Sequence, residues 1–313
     1  MGARVIAVVG PTAAGKSGLA VELALALGGE VINADSMQVY RGMDIGTAKL
    51  TPAERRGVPH HLLDVWDIRQ PANVADYQRL ARRAIADVTA RGQVPILAGG
   101  SGLYVRGALE DLTFPGTDPA VRARLEAELA RDGAAALHTR LAGLDPAAAK
   151  AILPSNGRRI VRALEVIELT GRPFTATLPS YTADYAASRP AVQLGLRPAR
   201  DDLDRRIDTR VDQMWAASFD DEVRRLEQAG LREGRTASRA LGYQQMLRYL
   251  AGDWTSDRAR QETARGTRRF ARRQESWFRR DPRITWLDVP AADLTERALE
   301  VVGALAHSPR AGR

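Results

Sequence analysis

Apolar residues come in short unbroken blocks over the first hundred positions and in spaced, helical registers afterwards. Arg4–Gly10 (RVIAVVG) is a continuous apolar run closed by glycine, the pattern of a strand buried on both faces of a parallel sheet. Helical spacing follows from Lys16 to Leu27. A second short strand, Glu30–Ala34, runs into Asp35, and a long helix is predicted over Val74–Arg91. Val94–Ala98 is another buried strand, ending at Gly99-Gly100. Strand–helix–strand units of this length imply right-handed crossovers and a parallel sheet.

From about Asp118 to Thr170 only helical periodicity remains. Asp118-Pro119 is a helix start, a carboxylate cap followed by a proline whose missing N–H costs nothing there. Gly143, Pro146, Pro154 and Gly171 punctuate the Ala-rich segments, and a polar stretch, Pro173–Pro190, leads out. Ala191–Leu196 then returns to a strand pattern, so the helical block reads as an insertion. The predicted division is an α/β body of residues 1–115 and 190–313 around an inserted helical domain of residues 116–189. Long helices are expected from Asp201 to Arg280 and a last strand at Ile284–Val289; the tail after His307 is expected to be disordered.

Composition narrows the classes. No apolar run approaches the roughly 20 residues that cross a bilayer, and the early apolar run ends in Gly-Pro instead of a small-residue cleavage site. The reading is a cytoplasmic monomer with no membrane partner. The absence of cysteine excludes a disulfide framework, a thiolate nucleophile and a Cys-ligated metal. Net charge is +8, from 46 basic and 38 acidic residues, and Lys16, Lys49 and Lys150 are the only lysines. In a chain where arginine has replaced nearly every lysine, Lys16 stands where a compact ammonium on a flexible stem does what a planar guanidinium does poorly.

That place is Gly10-Pro11-Thr12-Ala13-Ala14-Gly15-Lys16-Ser17, which fits G-x-x-x-x-G-K-[ST] between a predicted strand and a predicted helix. The glycines let the backbone wrap a phosphate, with N–H groups and the helix N-terminus aimed at the anion. Lys16 adds a mobile charge, and Ser17 is placed to ligate Mg2+. The pattern is strong for a di- or triphosphate, the ATP-binding class included, and silent on which one. Asp35 lies at the carboxyl end of the second strand, beside the P-loop in a parallel sheet, where such sheets hold ligands. The next strand ends in Gly99-Gly100-Ser101-Gly102 instead of the acidic residue of a nucleotide hydrolase, which argues against a motor ATPase. These glycines let a backbone approach something closely. His60 and His61 are adjacent, so their side chains point to opposite faces of an extended segment and make a poor metal site; His138 and His307 lack partners at ligand spacing.

Between Arg265 and Arg283 lie eight arginines, opposed within that window only by Glu275 and Asp281. At about 100° per residue, Arg265, Arg268, Arg269, Arg272, Arg273, Arg279 and Arg280 fall within an arc of roughly 140°. Phe270, Trp277 and Phe278 fall on another side and are expected to pack on the core. A single-sign face repels itself unless an anion lies against it, and nucleic-acid phosphate is the natural anion. Arg158, Arg159 and Arg162 form a smaller cluster in the insertion.

Several stretches together carry a family. Gly10–Ser17 is followed by Asp35–Tyr40 (DSMQVY), Arg41–Lys49 (RGMDIGTAK), Pro59–Asp64 (PHHLLD), Gly99–Tyr104 (GGSGLY), Arg162–Val166 (RALEV) and Ala240–Tyr243 (ALGY). In this order the sequence resembles the tRNA dimethylallyltransferases, also called tRNA isopentenyltransferases, from residue 5 to about residue 288. The resemblance implies an α/β fold: a P-loop NTPase-like parallel sheet with flanking helices and an inserted all-helical domain. It implies transfer of a dimethylallyl group from dimethylallyl diphosphate to N6 of adenosine 37, beside the anticodon of tRNAs reading codons that begin with U. The partner is then a tRNA anticodon stem-loop and the cofactor Mg2+.

By the same resemblance Asp35 is the general base, Thr12–Ser17 cradle the diphosphate, and Arg210 is a second cation on it. Ser101 and Arg122 match positions that touch tRNA. So do Asp35, Ser36, Met37 and Gln38, then Asn156, Gly157, Arg158, Arg159 and Ile160. Arg239, Ala240, Leu241, Gly242, Tyr243 and Gln244 match a further such segment, and Arg272, Arg273 and Arg279 lie in the last. Ser101 and Ser17 stand where the family often has Thr, which keeps the hydroxyl. A P-loop would then serve a transferase that needs no ATP. The competing readings are a prenyltransferase on free adenine nucleotides, which needs neither insertion nor basic helix, a P-loop small-molecule kinase, and a non-enzymatic RNA-binding module, against which Asp35 beside an intact P-loop speaks.

Overall fold

The computed structural model describes residues 5–112, 114–174 and 191–307. The stretch from 175 to 190 and the tail after His307, about which the sequence raised expectations, lie outside the described residues. Six strands form one parallel sheet in the order β3-β2-β4-β1-β5-β6. They are β1 (Val5–Val9), β2 (Gly29–Asn33), β3 (His60–His61), β4 (Val94–Gly99), β5 (Ala191–Pro198) and β6 (Ile284–Val289).

The unbroken apolar runs are explained by two cores on opposite sides of this sheet. Val5, Ala7 and Val9 of β1 enter one, with α2 (Val74–Ala90) and α3 (Gly102–Leu109). Ile6 and Val8 enter the other, with α1 (Lys16–Leu27) and, from the far end of the chain, the helix Leu294–His307. A strand sandwiched this way has no polar face to show, because its side chains alternate between two dry layers.

In the sheet β4 lies between β1 and β2. Asp35 still reaches the P-loop side because β4 ends in glycine: a Cβ on Gly99 would sit 2.2 Å from the carbonyl of Ala34. Ala34 N–H donates to the Ala98 carbonyl (2.8 Å) and Ser101 N–H to that of Ala34 (3.2 Å), which folds the end of β2 over the end of β4. The close approach expected of Gly99–Gly102 is therefore made by the protein itself. Gly100 lies against the Gln274 side chain and Gly102 against the Trp277 indole.

The chain divides into two compact units, Met1–Asp111 with Ala186–Arg313, and Leu112–Tyr185. The second is helical: α4 (Pro119–Leu144, kinked at Gly133), α5 (Pro146–Ala151) and α6 (Gly157–Thr170) around Leu125, Leu141, Ile160 and Leu164. Asp118 caps α4 by accepting from Ala120 (2.7 Å) and Val121 (3.0 Å), a contribution of about 1 kcal/mol. In the first unit α7 (Arg200–Ala216), α8 (Phe219–Gln228), α9 (Tyr243–Leu250) and α10 (Ser256–Phe278) follow β5, and α11 (Leu294–His307) closes the chain. A third core there packs Phe219, Val223, Tyr243 and Met246 against Val39, Tyr40 and Met43 of the loop after β2.

Gly99→Ala should lower stability by about 3 kcal/mol, since backbone cannot yield as a side-chain tip can. Gly143→Ala, on α4 with open space around it, should raise stability by roughly 0.5 to 1 kcal/mol. Urea unfolding of both variants checks the pair; equal, small effects would contradict the crossing at Gly99.

Candidate active site

The P-loop takes its shape from three positive φ angles, at Gly10 (136°), Ala13 (62°) and Gly15 (96°). Gly10 has no alternative, since a Cβ there would lie 2.8 Å from the Leu196 carbonyl of β5. Gly15 precedes α1 in the left-handed region, so the first free N–H groups of that helix point back into the loop. Ala13 packs on Leu203 and Ile207 of α7 and Ala271 of α10. The loop is fixed from a distance by Gln274, 6% exposed, whose Oε1 accepts the Thr12 N–H (2.8 Å) while its Nε2 donates to the Gly100 carbonyl (2.9 Å). Gln274 falls within the segment Arg272–Arg279 expected to touch tRNA, but its hold on the P-loop was not expected. Its signal was a neutral amide within the arginine run, on the face turned inward.

Lys16 Nζ donates to the Pro11 carbonyl at 2.7 Å. Burial lowers its ammonium to about 8; Asp35 pulls the other way, and the charge of Arg210 lowers it further. Arg210 comes from α7, donates to Thr12 Oγ1 (3.2 Å) and to the Thr47 carbonyl (3.1 Å), and is itself lowered by burial against the pull of Asp35. Neither cation forms an ion pair with a carboxylate among the described residues. Asp35 is oriented by its own turn: its N–H donates to Asn33 Oδ1 (2.9 Å) and its Oδ1 accepts from Met37 N–H (2.8 Å). Ser36 N–H donates to Ser101 Oγ (3.0 Å), which donates in turn to Ser36 Oγ (3.1 Å).

Thr12, Asp35, Ser36 and Arg210, but not Lys16, line a cleft of about 330 Å³ and form its polar end. Ile207, Val211, Met214, Leu241 and Phe270 supply apolar wall, and Arg239, Gln244 and Arg273 also line it. Half polar and half greasy, the cleft suits an anionic head carrying a short hydrocarbon. Two unpaired cations beside one carboxylate favour a ligand with at least two negative charges, because an uncompensated half-buried charge is costly.

The other expected residues divide by exposure. Arg239 and Gln244 are exposed, whereas Ala240, Gly242 and Tyr243 are buried, and Tyr243 spends its hydroxyl on Glu222. Its side chain therefore supports the loop from beneath and does not face solvent. Gln38 donates its amide to the Thr47 (3.0 Å) and Ala48 (3.3 Å) carbonyls. In the helical unit Asn156, Arg158 and Arg159 are exposed at the start of α6, Gly157 lies under Leu129, and Ile160 belongs to the core. Arg122 pairs with the fully buried Glu165, and Arg162 with the same carboxylate and the Pro115 and Gly116 carbonyls.

The arginine face is less one-sided than the sequence window implied. Arg268 pairs with Asp208 and Arg272 approaches Asp204 (4.0 Å), both on α7, while Arg265 and Arg279 pair with Glu262 and Glu275. Among the described residues Arg269, Arg273 and Arg280 have no carboxylate partner. Phe278 packs in the core and Trp277 against it, but Phe270 lines the cleft with the Arg273 guanidinium 5.8 Å from its ring, a correction to the expected packing. Around Phe270 the helix turns small residues inward instead (Ala264, Gly266, Ala271), which leaves that ring on the cleft side.

Comparison with known proteins places this geometry. The model of the family described as IPP transferase matches residues 38–281. The chain belongs to the IPP transferase family. The tRNA dimethylallyltransferase of Thermobifida fusca is 68% identical over 303 residues, covering 95% of this chain and 94% of that protein. The one from Streptomyces coelicolor is 68% identical over 293 residues, covering 94% and 93%. Among solved structures, the Bacillus halodurans tRNA isopentenylpyrophosphate transferase superposes with a TM-score of 0.71 at 42% identity, covering 97% of this chain and 95% of that one. A eukaryotic dimethylallyltransferase described as acting on tRNA superposes with a TM-score of 0.82 at 25% identity, covering 99% and 81%. In this IPP transferase no helix among the described residues is long and apolar enough to cross a membrane, and no trio of His, Cys, Asp or Glu is arranged to hold a metal.

The depressed Lys16 gives a pH test. Its ammonium binds an anion only while protonated, so the advantage of wild type over Lys16→Gln in affinity for inorganic diphosphate should be largest near pH 7. That ratio should shrink as pH rises through about 8. Calorimetry across the range checks this, and taking the ratio cancels the ligand's own ionisation; a ratio constant to high pH would contradict the burial of Lys16.

Proposed function

We propose that this enzyme transfers the dimethylallyl group of dimethylallyl diphosphate to N6 of adenosine 37 in tRNAs reading codons that begin with U. What carries the reading is a pair of cations without carboxylate partners among the described residues, Lys16 in the P-loop and Arg210 beside it, close to a single carboxylate, Asp35, at a cleft that also offers the apolar side chains of Ile207, Val211, Met214, Leu241 and Phe270. The location proposed is the cytoplasm, and the working form a monomer.

An exocyclic adenine amine is a poor nucleophile, so the site must make the leaving group leave. Lys16, Arg210 and the loop's N–H groups stabilise charge growing on the diphosphate as the allylic C–O bond breaks. The allylic carbon tolerates the resulting cationic character while it rests on apolar wall. N6 bonds to that carbon, its proton passes to Asp35, and diphosphate departs with the electron pair of the broken bond. The adenine leaves the anticodon-loop stack to reach the carboxylate. Magnesium fits as a cofactor: the residues offer the Ser17 hydroxyl at the start of α1 and, among the described residues, no protein cage, the donor set expected when substrate phosphates supply most ligands. When bound it would add Lewis-acid stabilisation of the diphosphate.

The deciding experiment is mass spectrometry of unmodified tRNA incubated with the enzyme, Mg2+ and dimethylallyl diphosphate, with AMP as a competing acceptor. One prenyl unit on an adenosine of tRNA is expected; prenylation of AMP alone would overturn the proposal. Asp35→Ala should leave diphosphate binding intact and slow single-turnover transfer by on the order of 100-fold. Lys16→Ala should lower turnover by a similar factor while tRNA still binds.

The unpaired arginines should hold the RNA backbone. Replacing Arg269, Arg273 and Arg280 with Gln should flatten the slope of log tRNA affinity against log salt by about 0.7 to 0.9 for each phosphate that is no longer neutralised. Replacing Arg265 and Arg268, already paired with carboxylates, should change it less. Binding measured at four salt concentrations separates the sets, and equal slopes throughout would remove α10 from the RNA surface.

A further inference from the structure

We propose that Glu222, on the first turn of α8, is a positioning residue for the leaving-group site, acting through the loop 43–49 on Arg210. The carboxylate is 2% exposed. Its Oε2 accepts the N–H groups of Asp44 (3.0 Å) and Ile45 (2.7 Å), and its Oε1 accepts that of Gly46 (3.2 Å) and the Tyr243 hydroxyl (2.6 Å). Four neutral donors converge on one buried anion, a nest built from the loop's own backbone. No lysine, arginine or histidine pairs with it among the described residues.

The loop held this way is the one that anchors Arg210. Gly46 and Thr47 line the cleft. Gly46 is pressed onto Phe219 and Tyr243, where a Cβ would lie 2.5 Å from both rings. The next residue turns its carbonyl to Arg210 Nη2 (3.1 Å), with Gln38 Nε2 on the same oxygen (3.0 Å). Arg210's other partner is Thr12 Oγ1 in the P-loop (3.2 Å). Two neutral oxygens therefore fix the direction of this guanidinium, and Glu222 sets the position of one of them from beneath. At the loop's far end the buried Lys49 binds the Tyr40 carbonyl (2.7 Å), Asp44 (2.7 Å) and Asp64 (2.5 Å), so the segment is pinned on both sides. Glu222 spends its charge on N–H and O–H donors behind the loop, and Arg210 meets only the loop's neutral carbonyl.

This inference rests on the reading that Arg210 binds the diphosphate, and a double-mutant cycle on the full chain separates the two. Glu222→Gln keeps the shape but turns amide N–H groups toward the loop's own N–H groups. It should lower kcat/KM for dimethylallyl diphosphate, and affinity for inorganic diphosphate, by about tenfold, with KM for tRNA within about twofold. In an Arg210→Gln background the same substitution should cost less than about twofold more, because a residue acting through Arg210 loses its effect when Arg210 is absent. A merely structural role would lower thermal stability and the active fraction, leaving kcat/KM per active molecule unchanged; that result, or full additivity in the cycle, overturns the inference. Diphosphate affinity unchanged by Arg210→Gln alone would instead sink the leaving-group reading, and the inference with it. Should Glu222→Gln fail to fold, Tyr243→Phe, which deletes only the 2.6 Å hydroxyl hydrogen bond, should give a smaller effect, about threefold, in the same cycle.

Discussion

Two positive charges, Lys16 in the P-loop and Arg210 on the cleft wall, are held with no carboxylate paired to either of them among the described residues, and much of the surrounding architecture keeps them so. Left to itself a cation near a buried aspartate forms an ion pair, and the pair would cancel both partners' chemistry. Here the guanidinium is held by neutral oxygens of Thr12 and Thr47, the ammonium by the Pro11 carbonyl, and the aspartate by backbone N–H of its own turn. Each charge has a place but no counterion. Depression of the Lys16 ammonium by burial is the measurable cost of this arrangement.

Hydrogen bonds to neutral groups are directional, so this solution demands a rigid frame. Gln274 ties the P-loop to the end of β4, and Gly99 lets the end of β2 cross it. The α10 helix that supplies Gln274 also carries Arg269 and Arg273, so the element that stiffens the phosphate loop is also the source of exposed charge nearby.

What could be read in the chain follows from what is local. The P-loop, the strand ends and the helical insertion are patterns of adjacent residues, and Asp35 was visible as a carboxylate closing a strand. The Gln274 and Glu222 roles were not, because their partners lie 262 and up to 178 positions away and a buried polar residue looks like any other on a helix. The same limit made the arginine face look lonelier than it is, since Asp204 and Asp208 arrive from another helix.

The central strand has a consequence in time as well as in space. β1 pairs with β4 on one edge and with β5 on the other, where Val5 sits opposite Ala191. During synthesis the first strand leaves the ribosome with one edge open, and that edge cannot close until the whole helical unit has been made. The P-loop waits longer still, for its clamp at Gln274 comes from the last fifth of the chain. A nascent chain can therefore carry the complete phosphate-binding sequence for most of its synthesis without owning the shape that binds phosphate.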